Sequence, residues 1–156
     1  MGLGLDITTK SARTGIFMSH YSRTGELRVS QPMDDTWVDS IVDTNVRDLY
    51  GSSFDRTSII TDASGLLHVF YYDSKHGQMK HAMEQPGGWS TEVIHGTRGY
   101  PSAVRCGEKL CVCFTHTTSG RLEFATGTFG SKWHVEDVDS APDEGGHQCD
   151  IALDTD

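Results

Sequence analysis

The sequence predicts an all-β chain assembled from a repeated four-stranded unit, and three observations carry that prediction. Trp37, Trp89 and Trp133 recur 52 and 44 residues apart, and each follows a turn glycine (Gly25, Gly77, Gly120) by 12, 12 and 13 residues. No segment of about ten or more residues carries apolar side chains at the 3.6-residue period of a helix. Turn chemistry recurs instead, as SRTG (22–25), DASG (62–65), SKHG (74–77), QPGG (85–88) and TTSG (117–120), and such clusters reverse strands.

Each unit reads as four short strands. The innermost is LGLD in the first unit, SIITD in the second and PSAVRC in the third, and DIALD repeats it near the end of the chain. The second strand is IFMSHY, HVFYYD or CVCFTH, which sets Phe17, Val69 and Val112 at one position and Met18, Phe70 and Cys113 at the next. Both faces carry bulk there, as expected of strands between neighbouring sheets. The third strand follows the turn glycine, with Leu27, Met79 and Leu122 directed to the core and Arg28, Lys80 and Glu123 to solvent. The fourth follows each tryptophan, as VDSIVD, STEVIH or HVEDVD.

Four-stranded units of about 40 to 50 residues are the blades of a β-propeller. The predicted blades cover 3–43, 58–95 and 101–139, with an extra inner strand at 150–154, of which 151–154 aligns with 59–62. The second unit, SIITDASGLLHVFYYDSKHGQMKHAMEQPGGWSTEVIHG, resembles the blade of many bacterial multi-blade repeat proteins. The shared features are an inner strand ending in Asp, HVxYYD, a turn, a Lys-containing strand and GGW. More loosely, it resembles the blades of propeller lectins of the fungal fucose-binding and tachylectin types. The chain departs from the pattern in the long first turn (7–15), in the enlarged segment 44–57 and in the missing tyrosines of the first and third units.

Propellers close with about four to eight blades, so three leave two sheet faces and their edges open. Either the chain is part of a longer polypeptide or copies associate. The second is the expectation adopted, because the chain starts at a blade boundary: two chains give a six-bladed ring through a contact that closes by rotation. The extra strand would then add to, or replace, residues 3–6 of the neighbouring copy.

Thirteen Lys and Arg against 22 Asp and Glu leave a formal charge of -9, which repels a phosphate backbone and argues against nucleic acid as a partner. No apolar run approaches the roughly 18 to 20 residues of a membrane helix, and residues 1–10 lack the basic start and apolar stretch of a signal peptide. Three of the four cysteines are packed into CGEKLCVC. Three readings remain open: buried free thiols; a Cys106–Cys111 disulfide across the GEK turn, which would favour an extracytoplasmic location; and a metal site, disfavoured because Cys111 and Cys113 lie on one strand face and His116 on the other. Cys149 has no partner evident in sequence. The eight histidines are scattered, with no HExxH pattern. The Asp column of Asp6, Asp62 and Asp154 reads as turn caps rather than calcium ligands. No cofactor is expected.

A tryptophan at one fixed blade position packs between sheets more often than it meets ligand. Lectin-type propellers place sugar sites between blades, on the face formed by the loops that join one blade to the next and the second strand to the third. By that resemblance the candidate ligand-binding residues are Arg47, Tyr50, Arg56, Asp73, His76, Arg98, Tyr100, Asp143, Glu144 and His147, a mixture of aromatic, Arg and acid suited to carbohydrate hydroxyls. The expected function is a non-catalytic, multivalent, lectin-like binding module. A protein-interaction scaffold is the first alternative. A propeller glycosidase or lyase is the second, disfavoured because the units share no carboxylate pair.

Overall fold

Strand alternation and glycine turns produce twelve strands in the computed structural model, which describes residues 5–10, 15–48, 56–96, 99–116, 119–139 and 148–154. The first sheet comprises β1 (Leu5–Lys10), β2 (Gly15–Tyr21), β3 (Leu27–Met33) and β4 (Thr36–Asp43). The second comprises β5 (Thr57–Thr61), β6 (Leu67–Asp73), β7 (Gln78–Gln85) and β8 (Gly88–His95). The third comprises β9 (Ser102–Cys106), β10 (Lys109–Thr115), β11 (Leu122–Gly127) and β12 (His134–Asp139). Every sheet is an antiparallel meander in chain order, and there is no helix among the described residues. The all-β, four-stranded repeat read from the sequence is therefore present.

The sheets pack face to face, as blades of an arc do, and two cores fill the gaps. Phe17, Tyr21, Leu27 and Val29 of the first sheet meet Ile59, Leu67, Val69 and Tyr71 of the second. Phe70, Tyr72 and Met79 on the other face of the second sheet meet Leu110, Val112, Phe114 and Trp133 of the third. β6 is buried along its whole length because it has a sheet on each side, whereas β2 alternates between buried and partly exposed positions. Each sheet carries a register shift at one place, opposite Leu27/Arg28, Met79/Lys80 and Leu122/Glu123, which leaves Val42, Ile94 and Val138 as the extra residues of the outer strands.

Strand partners revise the alignment of the first unit. Leu27, Met79 and Leu122 pair with Tyr21, Tyr72 and Thr115, so Phe17 is equivalent to His68 and Cys111, and Ser19 to Phe70 and Cys113. The cause is the turn: Gly25 follows Tyr21 by four residues, whereas Gly77 follows Tyr72 and Gly120 follows Thr115 by five. A shift of one residue moves a side chain to the other face of a strand. Glu123 also departs from expectation, because it is buried rather than solvated. Burial pushes its carboxyl above the usual range, and His95, with Nδ1 3.6 Å away, opposes that shift.

Asp6 is not the end of the inner strand but lies near the start of β1. Its carboxylate Oδ2 accepts the Ile59 amide at 2.7 Å, Ser58 Oγ accepts the Ala103 amide at 3.1 Å, and Ser102 Oγ accepts the Ile151 amide at 3.3 Å. One inter-sheet hydrogen bond is thus repeated at each step, so Asp6, Ser58 and Ser102 are equivalent. Asp62 does cap the following turn, since its Oδ1 accepts from Ser64 N, Ser64 Oγ and Leu66 N. The extra inner strand expected at 150–154 is seated against the third sheet but is not a strand, since no described hairpin of a fourth sheet pairs with it.

All four cysteines are bridged. Cys106–Cys111 joins the facing ends of β9 and β10 with Cα atoms 5.9 Å apart, and Cys113–Cys149 ties segment 148–154 to β10 with Cα atoms 6.2 Å apart. The free-thiol reading is overturned, and Cys149 has the partner that sequence spacing did not reveal. No helix is long and apolar enough to cross a membrane among the described residues.

Candidate ligand clefts between the sheets

At the end of the sheets carrying the β2–β3 and β6–β7 turns, charge is used to lock loops together. Asp73 is buried, and its carboxylate accepts the His76 amide at 3.0 Å and His76 Nδ1 at 2.8 Å, with Lys80 Nζ at 3.6 Å. Lys80 also pairs closely with Asp43, whose Oδ2 accepts the Tyr71 hydroxyl at 2.5 Å. Burial, with Asp43 adding to it, pushes the Tyr71 phenol far above its ordinary value, so it stays a donor. Segment 44–48 crosses from the first sheet to this turn through Val46 N to Gly25 O (3.0 Å), Lys75 N to Val46 O (3.4 Å) and Asp48 N to Ser74 Oγ (2.8 Å). Arg47 is half-buried within it. Arg56 is exposed and lies 5.2 Å from the centre of the Tyr100 ring. Tyr50, Arg98, Asp143, Glu144 and His147 fall outside the described residues.

Two open clefts lie at the opposite end. One, of about 200 Å³, separates the first and second sheets and is lined by Phe17, Gln31, Ser40, Leu67, Gln85 and Trp89 among others. The second, of about 220 Å³, separates the second and third sheets and is lined by Asp62, His68, Met83, Glu108, Leu110, Thr128 and Phe129. They are the same place in successive repeats: by strand register Phe17 corresponds to His68, Gln31 to Met83, Leu67 to Leu110 and Gln85 to Thr128. Pockets for drug-sized ligands run to about 300–1,000 Å³, so each cleft suits a single small ring. Apolar surface and hydrogen-bonding groups face each other across both. In the first, Trp89 is half-buried and its Nε1 donates to Ser40 Oγ at 3.3 Å.

The second cleft has a polar row behind it, with one residue from each strand or strand end of the second sheet. His68 Nε2 lies 3.2 Å from Asp62 Oδ2, His68 Nδ1 lies 2.8 Å from His81 Nε2, and His81 Nδ1 lies 2.9 Å from Glu92 Oε1. Glu92 also accepts from Trp133 Nε1 and the Gly130 amide, both at 2.9 Å, which fixes the β11–β12 loop and with it the wall bearing Thr128 and Phe129. Burial drives both imidazoles below their ordinary value and so keeps them neutral near pH 7, although Glu92 and Asp62 pull the other way. Burial also pushes Glu92 up, but hydrogen bonds from His81, Trp133 and Gly130 outweigh it and hold the carboxyl below the usual range.

Proton counting then decides what the row presents to the cleft. Three contacts each need one proton, and two neutral imidazoles supply two. With His81 Nδ1–H given to Glu92, the one remaining imidazole proton serves either His68–His81 or His68–Asp62. One contact of the row is therefore a proton short, and its Asp62–His68 end lies in the cleft wall.

Neither histidine was singled out from the sequence, where both read as scattered strand residues. Their proximity follows from register: Phe70 pairs with His81, so His68 is the diagonal neighbour on the same face. Among the described residues no group of three or more His, Cys, Asp or Glu is arranged to hold a metal ion.

No protein-family model matches the chain, and no curated protein matches it. Among solved structures the chain is similar to a fucose lectin from Kordia zhangzhouensis in complex with methyl-fucoside, with a TM-score of 0.56 and 16% identity over 85% of this chain and 97% of that one. At that identity the likeness speaks to the fold.

Proposed function

We propose that the chain is a non-catalytic, lectin-like carbohydrate-binding module whose sugar seats are the clefts between successive sheets, and that two copies associate into a six-bladed ring. The observation that carries the reading is the Asp62–His68 contact in the wall of the second cleft, at the open end of a row that is one proton short. A sugar hydroxyl donating to His68 Nε2 or Asp62 Oδ2 supplies the missing proton, while Met83, Leu110 and Phe129 offer an apolar surface to the C–H face of the ring. Repetition of the cleft at the next interface supports multivalent use, because several weak sites on one rigid body gain avidity without new contacts. Similarity in fold to a fucose lectin makes neutral deoxy sugars the first class to test. Two disulfides fit an oxidising, extracytoplasmic compartment.

The experiment is a glycan array that includes methyl-fucoside, followed by calorimetric titration of the strongest hit. Asp62→Asn places an amide N–H beside His68 Nε2, fills the seat internally and is expected to lower affinity about tenfold. Arg56→Ala tests the loop end, where the Arg56–Tyr100 pair is proposed as a separate, secondary contact. Binding to no glycan, or binding indifferent to Asp62→Asn, would remove the cleft reading.

A further inference from the structure

The arc has two open ends, and repeat equivalence shows that both are built as inter-sheet faces. Ile7 of β1 is 54% exposed, whereas its equivalent Ile59 in β5 is 2% exposed; Trp37 is 53% exposed, whereas Trp133 is 7% exposed. At the other end the bulge residue Val138 is 60% exposed, while its equivalents Val42 and Ile94 are 6% and 9% exposed. Each exposed residue is a core residue with no neighbouring sheet among the described residues.

Segment 148–154 already occupies part of the missing sheet's place. Ile151 N donates to Ser102 Oγ just as Ala103 N donates to Ser58 Oγ and Ile59 N to Asp6 Oδ2. Asp150 therefore stands where the inner strand of the next sheet would place its Asp6, and Ile151 where it would place Ile7; the Asp-Ile pair is identical in the two segments. A first sheet docking here from a second copy would bring its own β1 into an occupied seat. The occupant is held covalently by Cys113–Cys149 and by Ser102, which bonds both Asp150 Oδ1 (2.6 Å) and the Ile151 amide. By contrast, β1 buries neither Leu5 nor Ile7.

We propose that the two copies of the ring join by strand exchange, with segment 150–153 of one copy replacing β1 as the inner strand of the second copy's first sheet. In the register now used by β1, Asp150 and Ile151 pair with the second copy's Ser19 and Met18, and Asp150 takes over acceptance of the second copy's Ile59 amide. This inference rests on the ring proposed above and adds the identity of the joining element.

Full-length variants test it by sedimentation, with circular dichroism as the check on folding. The unaltered chain is expected at twice the chain mass. Ala152 stands at the register position of Thr8, opposite Phe17, where the amide turns into the ladder rather than toward Ser102; Ala152→Pro removes that donor and is expected to run as a folded monomer, whereas Thr8→Pro is expected to stay dimeric because β1 is displaced in the assembly. As milder variants, Asp150→Ala is expected to raise the dimer dissociation constant at least about tenfold and Asp6→Ala to leave it unchanged. A dimer that survives Ala152→Pro and Asp150→Ala, or one lost through Thr8→Pro, overturns the exchange while leaving association intact. A monomeric unaltered chain at every concentration overturns the ring itself.

Discussion

Replacing Trp133 by alanine is expected to destabilise the chain by about 4 kcal/mol, the middle of the range for buried aromatic truncations. The side chain is 7% exposed and packs edge-on against Phe70 and His81, with ring centres 5.8 and 5.4 Å apart. Burying about 200 Å² at about 25 cal/mol/Å² gives about 5 kcal/mol, and partial collapse of the site returns some of it. Glu92 loses one donor but keeps the Gly130 amide and His81, so the hydrogen-bond loss adds no more than about 1 kcal/mol. The matched control is Trp37→Ala at the equivalent position, where an indole 53% exposed predicts a loss below about 1 kcal/mol in the isolated chain. A third variant, Gly127→Ala, presses on the same ring from behind: a Cβ there would lie 2.7 Å from Trp133 Cδ2, and overpacking of that kind costs about 1–3 kcal/mol. Urea denaturation at low protein concentration, read as a midpoint shift with unchanged slope, measures all three. A loss below about 1.5 kcal/mol for Trp133→Ala, or equal losses at positions 133 and 37, would refute the claim that a neighbouring sheet is what distinguishes these tryptophans.

Stability should fall on mild acidification. His68 and His81 have folded values below the unfolded value of about 6.5, so below that pH the unfolded chain binds more protons and stability drops, whereas above it the contribution is fully present. Asp62 and Glu92, held below the usual carboxylate range by their donors, add a further loss at more acid pH. Urea midpoints at about pH 7.5 and 5.5 check this, and equal values would contradict the neutral assignment of the row. The disulfides should differ in effect because they close loops of different length: 36 residues for Cys113–Cys149 and 5 for Cys106–Cys111. Loop-closure entropy gives about 4 kcal/mol for the first and about 2 for the second. Paired serine substitutions read by urea melts should follow that order, and the reverse order would count against the entropic account.

Architecture was largely legible because it rests on local, periodic signals. Alternation and turn glycines mark twelve strands, and the tryptophan repeat marks three sheets. Legibility ended where one residue of turn length decides which face a side chain takes. The shorter turn at Gly25 moved Phe17 out of the Val69 column and into the one that holds His68. The loop residues chosen for their chemistry stand in two situations: Asp73 and His76 belong to a network that binds turns together, whereas Arg56 lies on Tyr100.

By itself the sequence determined the all-β repeat and the count of sheets, because hydrophobic period and turn chemistry act within a few residues of chain. Tertiary structure alone decided that Cys149 meets Cys113, that Asp62, His68, His81 and Glu92 form a row, and that equivalent clefts open between the sheets. Those groups lie on different strands or in different repeats. What joins them is strand register and the stacking of one sheet on the next, neither of which leaves a periodic trace in the order of residues.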